Sequence, residues 1–65
     1  MFAFGHPDDM PDTKGDGFES EEEAIAAAQA HYDAAPWDGL LAVWIEGAMH
    51  FECMVYEGRV YRPEY

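Results

Sequence analysis

LLAVWIEGAMHFECMVYEGRVY, residues 40–61, is the stretch that decides the fold. Two Glu-Gly pairs, Glu46-Gly47 and Glu57-Gly58, divide it into three apolar runs: LLAVWI, MHFECMVY and RVY. Branched and aromatic residues of this kind suit a pleated, half-buried surface. A Gly at each break can take the positive φ of a tight hairpin. The pattern predicts a three-stranded antiparallel meander over 40–62. Its register stays open, because a slip of one residue turns every side chain over. A two-residue first loop puts Trp44 on the face of Met49, Phe51, Cys53 and Val55. A longer loop with a Gly bulge puts Leu41, Val43 and Ile45 there instead. Phe51, Cys53 and Val55 face the core in both versions, and His50, Glu52, Met54 and Tyr56 face away. The second face is either covered by the N-terminal segment or left as an apolar patch for a partner.

Upstream, Ser20 and Glu23 have the spacing of a capping box. Glu21, Glu22 and Glu23 would occupy the first helical turn, where the positive end of the helix dipole favours anions. The alanines that follow are the strongest helix formers. Ile25, Ala28 and Tyr32 make an apolar stripe, while Glu22, Glu23, Ala26, Ala30 and Asp33 point the other way. Pro36 ends the predicted helix, 20–34, and PWDG at 36–39 is turn chemistry. Residues 1–19 form an N-terminal segment. Phe2 and Phe4 flank Ala3 as a short strand or flap, and GHPDDMPDTKGDG (5–17) has the Gly, Pro and Asp content of an acidic loop. The expected fold is therefore α+β, a single domain over 1–65 with one helix on a three-stranded meander (α-β-β-β).

Composition narrows the function. Fourteen Asp and Glu oppose three Lys and Arg, giving a formal charge of −11, and eight of the acids lie in residues 1–23. Such a field repels nucleic acid and anionic membranes and attracts cationic partners. One cysteine, Cys53, rules out an intramolecular disulfide. No basic, then apolar, leader opens the chain, and LLAVWI is too short to span a bilayer. A cytoplasmic protein, more readily a monomer than a homodimer, is expected.

Catalytic patterns are sparse. His6, His31 and His50 fall on a loop, a helix and a strand, a scattered set with no zinc-like spacing. His50 and Cys53, three apart on a strand, point to opposite sides, which argues against a Cys-His pair. No phosphate loop or nucleophile elbow is present. An enzyme, a cofactor and a metal are not expected. His6-Pro7-Asp8-Asp9 resembles the opening metal motif of zinc-dependent N-acetylglucosaminyl deacetylases. That resemblance would make His6 and Asp9 ligands and Asp8 a base. Met10 stands where the motif has Glu, no later His motif follows, and the likeness covers four residues of 65. It is set aside.

The carboxylates remain. Asp8, Asp9, Asp12, Asp16, Glu19, Glu21, Glu22 and Glu23 cluster in sequence, and Asp33 and Asp38 lie at the far end of the helix. Glu23 and Asp33 stand about 15 Å apart at helical rise, a length over which carboxylates can imitate several phosphates of a DNA strand. In length, charge and helix-plus-sheet build, the whole chain resembles small acidic anti-CRISPR proteins of type I systems, encoded by phages and mobile elements. The resemblance rests on no motif. It implies a non-enzymatic inhibitor that occupies a basic, nucleic-acid-binding surface, such as the DNA-recognising large subunit of Cascade. Those ten acids would meet the partner's cations, with Trp44 or Tyr56 as an apolar anchor. The alternative is an acidic structural or regulatory module that uses its apolar sheet face, with a homodimer as one form it could take.

Overall fold

A computed structural model describes residues 1–48 and 50–63. Five strands and one helix run in the order β1 (Phe2–Gly5), β2 (Gly15–Phe18), α1 (Glu21–Ala34), β3 (Leu41–Ile45), β4 (Cys53–Tyr56) and β5 (Arg59–Tyr61). Short 3₁₀ turns occupy Pro7–Asp9 and Pro36–Asp38. The strands form one antiparallel sheet in the order β2-β1-β3-β4-β5. The α+β class and the three C-terminal strands are as expected, but the sheet has five strands, not three.

The two added strands come from the N-terminal segment. Phe2 and Phe4 alternate with Ala3, and β1 inserts beside β3 with Phe4 opposite Val43 and Ala3 opposite Trp44. The segment read as loop through Gly17 contains β2, which pairs with β1 through Phe2–Phe18 and Phe4–Gly15. Gly15 lies against the Phe4 ring, where an added Cβ would stand 2.6 Å from Phe4 Cε1. A residue with no side chain lets that ring reach the core.

The register of β3 and β4, with Leu41 opposite Val55 and Val43 opposite Cys53, selects the long first loop. Leu41, Val43, Cys53 and Val55 are fully buried against Phe4, Ala24 and Ala28. Leu41, Val43 and Val55 each contribute about 1.5–3 kcal/mol by leaving water. Ile45, assigned to this face, is 39% exposed at the strand end. Met49 lies outside the described residues. The second hairpin is tight: Glu57 (φ 51°) and Gly58 (φ 75°) both have the positive φ of a type I′ turn between Tyr56 and Arg59.

Two side chains depart from the expected faces. Phe51 precedes β4, so strand alternation does not govern it. It packs with Trp44, Ala3 and Ala42 on the sheet's second face, its ring 6.4 Å from the Trp44 ring. Tyr56, at the end of β4, sets its ring edge-on at 5.6 Å to Tyr32 of the helix. The second face is no open patch. Met10, from the 6–14 connection, and Phe51 lie over Ala3, Ala42 and Trp44. The N-terminal segment thus covers that face with Met10, while Phe2 and Phe4 belong to the helix side.

The helix starts where the capping box places it. Ser20 accepts a hydrogen bond from the Glu23 amide, and the Glu23 carboxylate accepts from the Glu19 amide, each at 3.2 Å. Ala24 and Ala28 are fully buried, letting the helix lie close to the sheet. Glu22, Glu23, Ala26, Ala30 and Asp33 are all exposed, as the stripe predicts. The amide of Ala35 closes the helix on the carbonyls of His31 and Tyr32.

Candidate functional site: an acidic surface and a histidine-clasped carboxylate

The predicted contact residues divide into three groups once their neighbours are known. Asp8, Asp9, Asp12, Asp16, Glu19, Glu22 and Asp33 are exposed, and their side chains make no hydrogen bond or ion pair with a described residue. Glu22 gains from the helix dipole in the first turn of α1, and the other six carry no side-chain bond within the described residues.

A second group has duties inside the molecule. Glu23 caps the helix. Glu21 pairs with Arg62, tying the start of the helix to the chain beyond β5 and raising the Arg62 pKa through that hydrogen bond. Asp38 is 2.8 Å from His31 Nε2 and 3.4 Å from His6 Nε2. The His31 hydrogen bond is the main cause holding the Asp38 carboxyl below its ordinary range, with partial burial opposing it and Lys14 and His6 assisting.

The third group is the apolar pair. Trp44 is only 2% exposed and belongs to the core, so it presents no ring face to a partner. Tyr56 is 37% exposed, with one side of its ring against Tyr32. The most exposed large apolar side chain among the described residues is Trp37, at 81%, which sequence reading passed over as part of a turn. The signal was available in PWDG: a Trp between Pro and Asp has no apolar period to bury it. Its flanks hold it out, since Pro36 begins the 3₁₀ turn and Asp38 is clasped by the two histidines.

The fold also gathers residues that sequence had read as scattered. His6 and His31 converge on Asp38, whereas His50 stands apart beside Glu52 at 3.4 Å. His6, Pro7, Asp8, Asp9, Asp38 and Leu40 line a pocket of about 470 Å³. Among the described residues no group of three or more His, Cys, Asp and Glu side chains is arranged to hold a metal ion. A second cleft, of about 320 Å³, brings Asp12 and Asp16 to Trp44 and Glu46. Glu46 accepts a hydrogen bond from the Gly17 amide at 3.0 Å, which ties the β2 edge to the loop after β3.

Cys53 is buried, and that burial, reinforced by Glu21, pushes its thiol pKa up, which keeps it protonated. No helix among the described residues is long and apolar enough to cross a membrane. No protein family, curated protein or solved structure matches this chain.

Proposed function

We propose that this protein is a non-enzymatic inhibitor that binds a basic, nucleic-acid-binding surface of a host defence complex. The observation that carries this reading is the set of seven exposed carboxylates whose side chains bond to no described residue. Capping and ion pairing explain Glu21, Glu23 and Asp38, the helix dipole favours Glu22, and Asp8, Asp9, Asp12, Asp16, Glu19 and Asp33 are left without such a duty. The molecule measures 27 × 25 × 21 Å. Duplex DNA of that longest dimension carries roughly sixteen phosphate charges, against a formal −11 on this chain. Lysines and arginines that normally grip phosphate would find negative charge of the same order here. Trp37, in place of the buried Trp44, supplies an exposed aromatic of the type that dominates binding energy at interfaces.

The resemblance in size, charge and build to type I anti-CRISPR proteins makes the DNA-recognising subunit of a CRISPR surveillance complex the first partner to try. The alternative module, acting through an apolar sheet face, loses its main support, because Met10 and Phe51 lie over Ala42 and Trp44.

Changing Asp12, Asp16, Glu22 and Asp33 together to Lys leaves the cap and the ion-paired Glu21, Asp38 and Glu52 in place. The wild-type protein should displace duplex DNA from the purified surveillance complex in a fluorescence anisotropy assay. The quadruple variant, with an unchanged circular dichroism spectrum, should not. Equal displacement by both proteins, or none by the wild type, would reject this reading.

A further inference from the structure

The cleft of about 320 Å³ beside β2 has a feature that its acids alone would not give it. Trp44 borders it, and that side chain is only 2% exposed. A buried indole N–H ordinarily finds an acceptor. Here no described residue accepts a hydrogen bond from it. Nor is the nitrogen sealed away, because no fully buried side-chain nitrogen or oxygen among the described residues lacks a partner. The small exposed part of Trp44 therefore includes its N–H, which opens where the ring meets the cleft. The cleft thus holds a fixed donor whose acceptor must come from outside.

Around that donor stand groups that attract positive charge. The side chains of Asp12 and Asp16 bond to no described residue, and Glu46 spends one oxygen, Oε2, on the Gly17 amide. Among the described residues lining the cleft there is no Lys, Arg or His. The three carboxylates are not arranged to hold a metal ion together. A broader cation suits them. A guanidinium carries five N–H donors in a planar fork and can reach two carboxylates at once. It has no acceptor for the Trp44 N–H, so a carbonyl must take that bond. Every arginine in a polypeptide carries one on its main chain. Pro11 and Ala48 add apolar wall to the cleft, along which an arginine's aliphatic stem can lie.

We propose that this cleft receives one arginine of the partner protein, its guanidinium among Asp12, Asp16 and Glu46 and its main-chain carbonyl accepting from Trp44 Nε1. The proposal rests on the reading of a basic partner and names the kind of residue by which that partner is recognised. The cleft is built before anything binds. The Lys14 amide donates to the Phe4 carbonyl at 2.9 Å and the Glu46 amide to the Met1 carbonyl at 2.8 Å, which fixes the chain on either side of it. The Ala48 amide closes the turn after β3 on the Ile45 carbonyl at 2.9 Å, and Asp16 lies within β2, paired to β1. Little ordering is left to oppose binding. Trp44 contributes a single hydrogen bond here, while its ring stays in the core.

The test needs no surveillance complex. The chain has two tryptophans, so the ¹⁵N-labelled protein shows two indole N–H signals, and Trp37→Phe assigns them by removing one. On titration with N-acetyl-arginine N-methylamide, the Trp44 indole signal should move saturably while that of Trp37 stays. Guanidinium chloride offers the cation without the carbonyl, and N-acetyl-alanine N-methylamide the carbonyl without the cation. Each should leave the Trp44 signal in place over the same concentrations. Asp12→Asn with Asp16→Asn keeps the shape of two exposed side chains and removes their charge. It should weaken the arginine response at least about tenfold, as expected for lost charge-assisted bonds, with the amide spectrum showing an intact fold. No saturable movement of the Trp44 indole in the wild type, or equal affinity in the double variant, would overturn the assignment. Displacement of DNA from the complex is a separate readout. Arginine binding without displacement would reject the partner and keep the cleft; displacement without arginine binding would reject the cleft and keep the partner.

Discussion

At the scale of single residues, the decisive positions are those where a small or charged side chain has a structural task. Gly15 illustrates steric need, because its φ is not positive and the constraint is the Phe4 ring alone. Gly15→Ala should destabilise the fold by about 1–3 kcal/mol, the usual cost of overfilling a packed site. Urea unfolding would show this as a lower midpoint with an unchanged slope. Asp38 illustrates charge. Its carboxyl is held below the ordinary value of 3.8, chiefly by the His31 hydrogen bond. A depressed carboxyl contributes stability that is present above its unfolded pKa and is lost as pH falls through its folded pKa. Wild type should therefore be more stable than Asp38→Asn at about pH 6, and the gap should close on going to about pH 2. Urea midpoints measured across that range would check it, and a pH-independent gap would refute the assignment. Neither role was readable in the sequence. Gly15 and Asp38 both sit in turn-like composition, and the groups that constrain them, Phe4 and the two histidines, lie on other elements.

At the scale of elements, legibility followed the strength of the local signal. Ser20 and Glu23 marked the helix start because capping is a short-range interaction, and five exposed positions of the helix followed from its period. Glu57-Gly58 marked a two-residue hairpin because the turn itself demands positive φ. Glu46-Gly47 looked the same but opens a longer connection, since β4 begins only at Cys53. The strand β2 was hidden for a different reason. Its sequence, Gly-Asp-Gly-Phe, has almost no strand propensity, and pairing with β1 at the sheet edge overrides that. The helix seam also carries more constraint than its alanines suggest. Ala28 is fully buried among Leu41, Val43 and Val55 in the core, so Ala28→Leu should push helix and sheet apart. A loss of about 1–3 kcal/mol is expected, whereas Ala30→Leu, on the exposed side, should change stability little. Comparing the two melting curves separates packing from helix propensity, since both variants introduce the same residue into the same helix.

At the scale of the whole molecule, charge acts in two opposite directions. A formal −11 on 65 residues makes the folded chain repel itself, because folding brings the carboxylates together. The same carboxylates are what a basic partner would attract. Sequence showed the excess of acid, but not which acids were committed to the fold; that division needed the positions of Arg62, His6, His31 and the helix cap. Salt separates the two effects. At 0.1 M the screening length is about 10 Å, shorter than the molecule, so added salt should relieve the internal repulsion and raise the melting temperature of the free protein. The same addition should weaken any complex built on carboxylate–cation pairs. The two responses are predicted to have opposite signs over one titration from about 0.02 M to about 0.5 M sodium chloride. Melting curves of the free protein and the direct affinity of the labelled protein for the purified complex, without DNA because DNA binding is itself weakened by salt, would be read in the same buffers. If salt left that affinity unchanged while still raising the melting temperature, the excess charge would be a property of the folded chain and its solvent, and the binding surface would have to be sought in apolar groups such as Trp37.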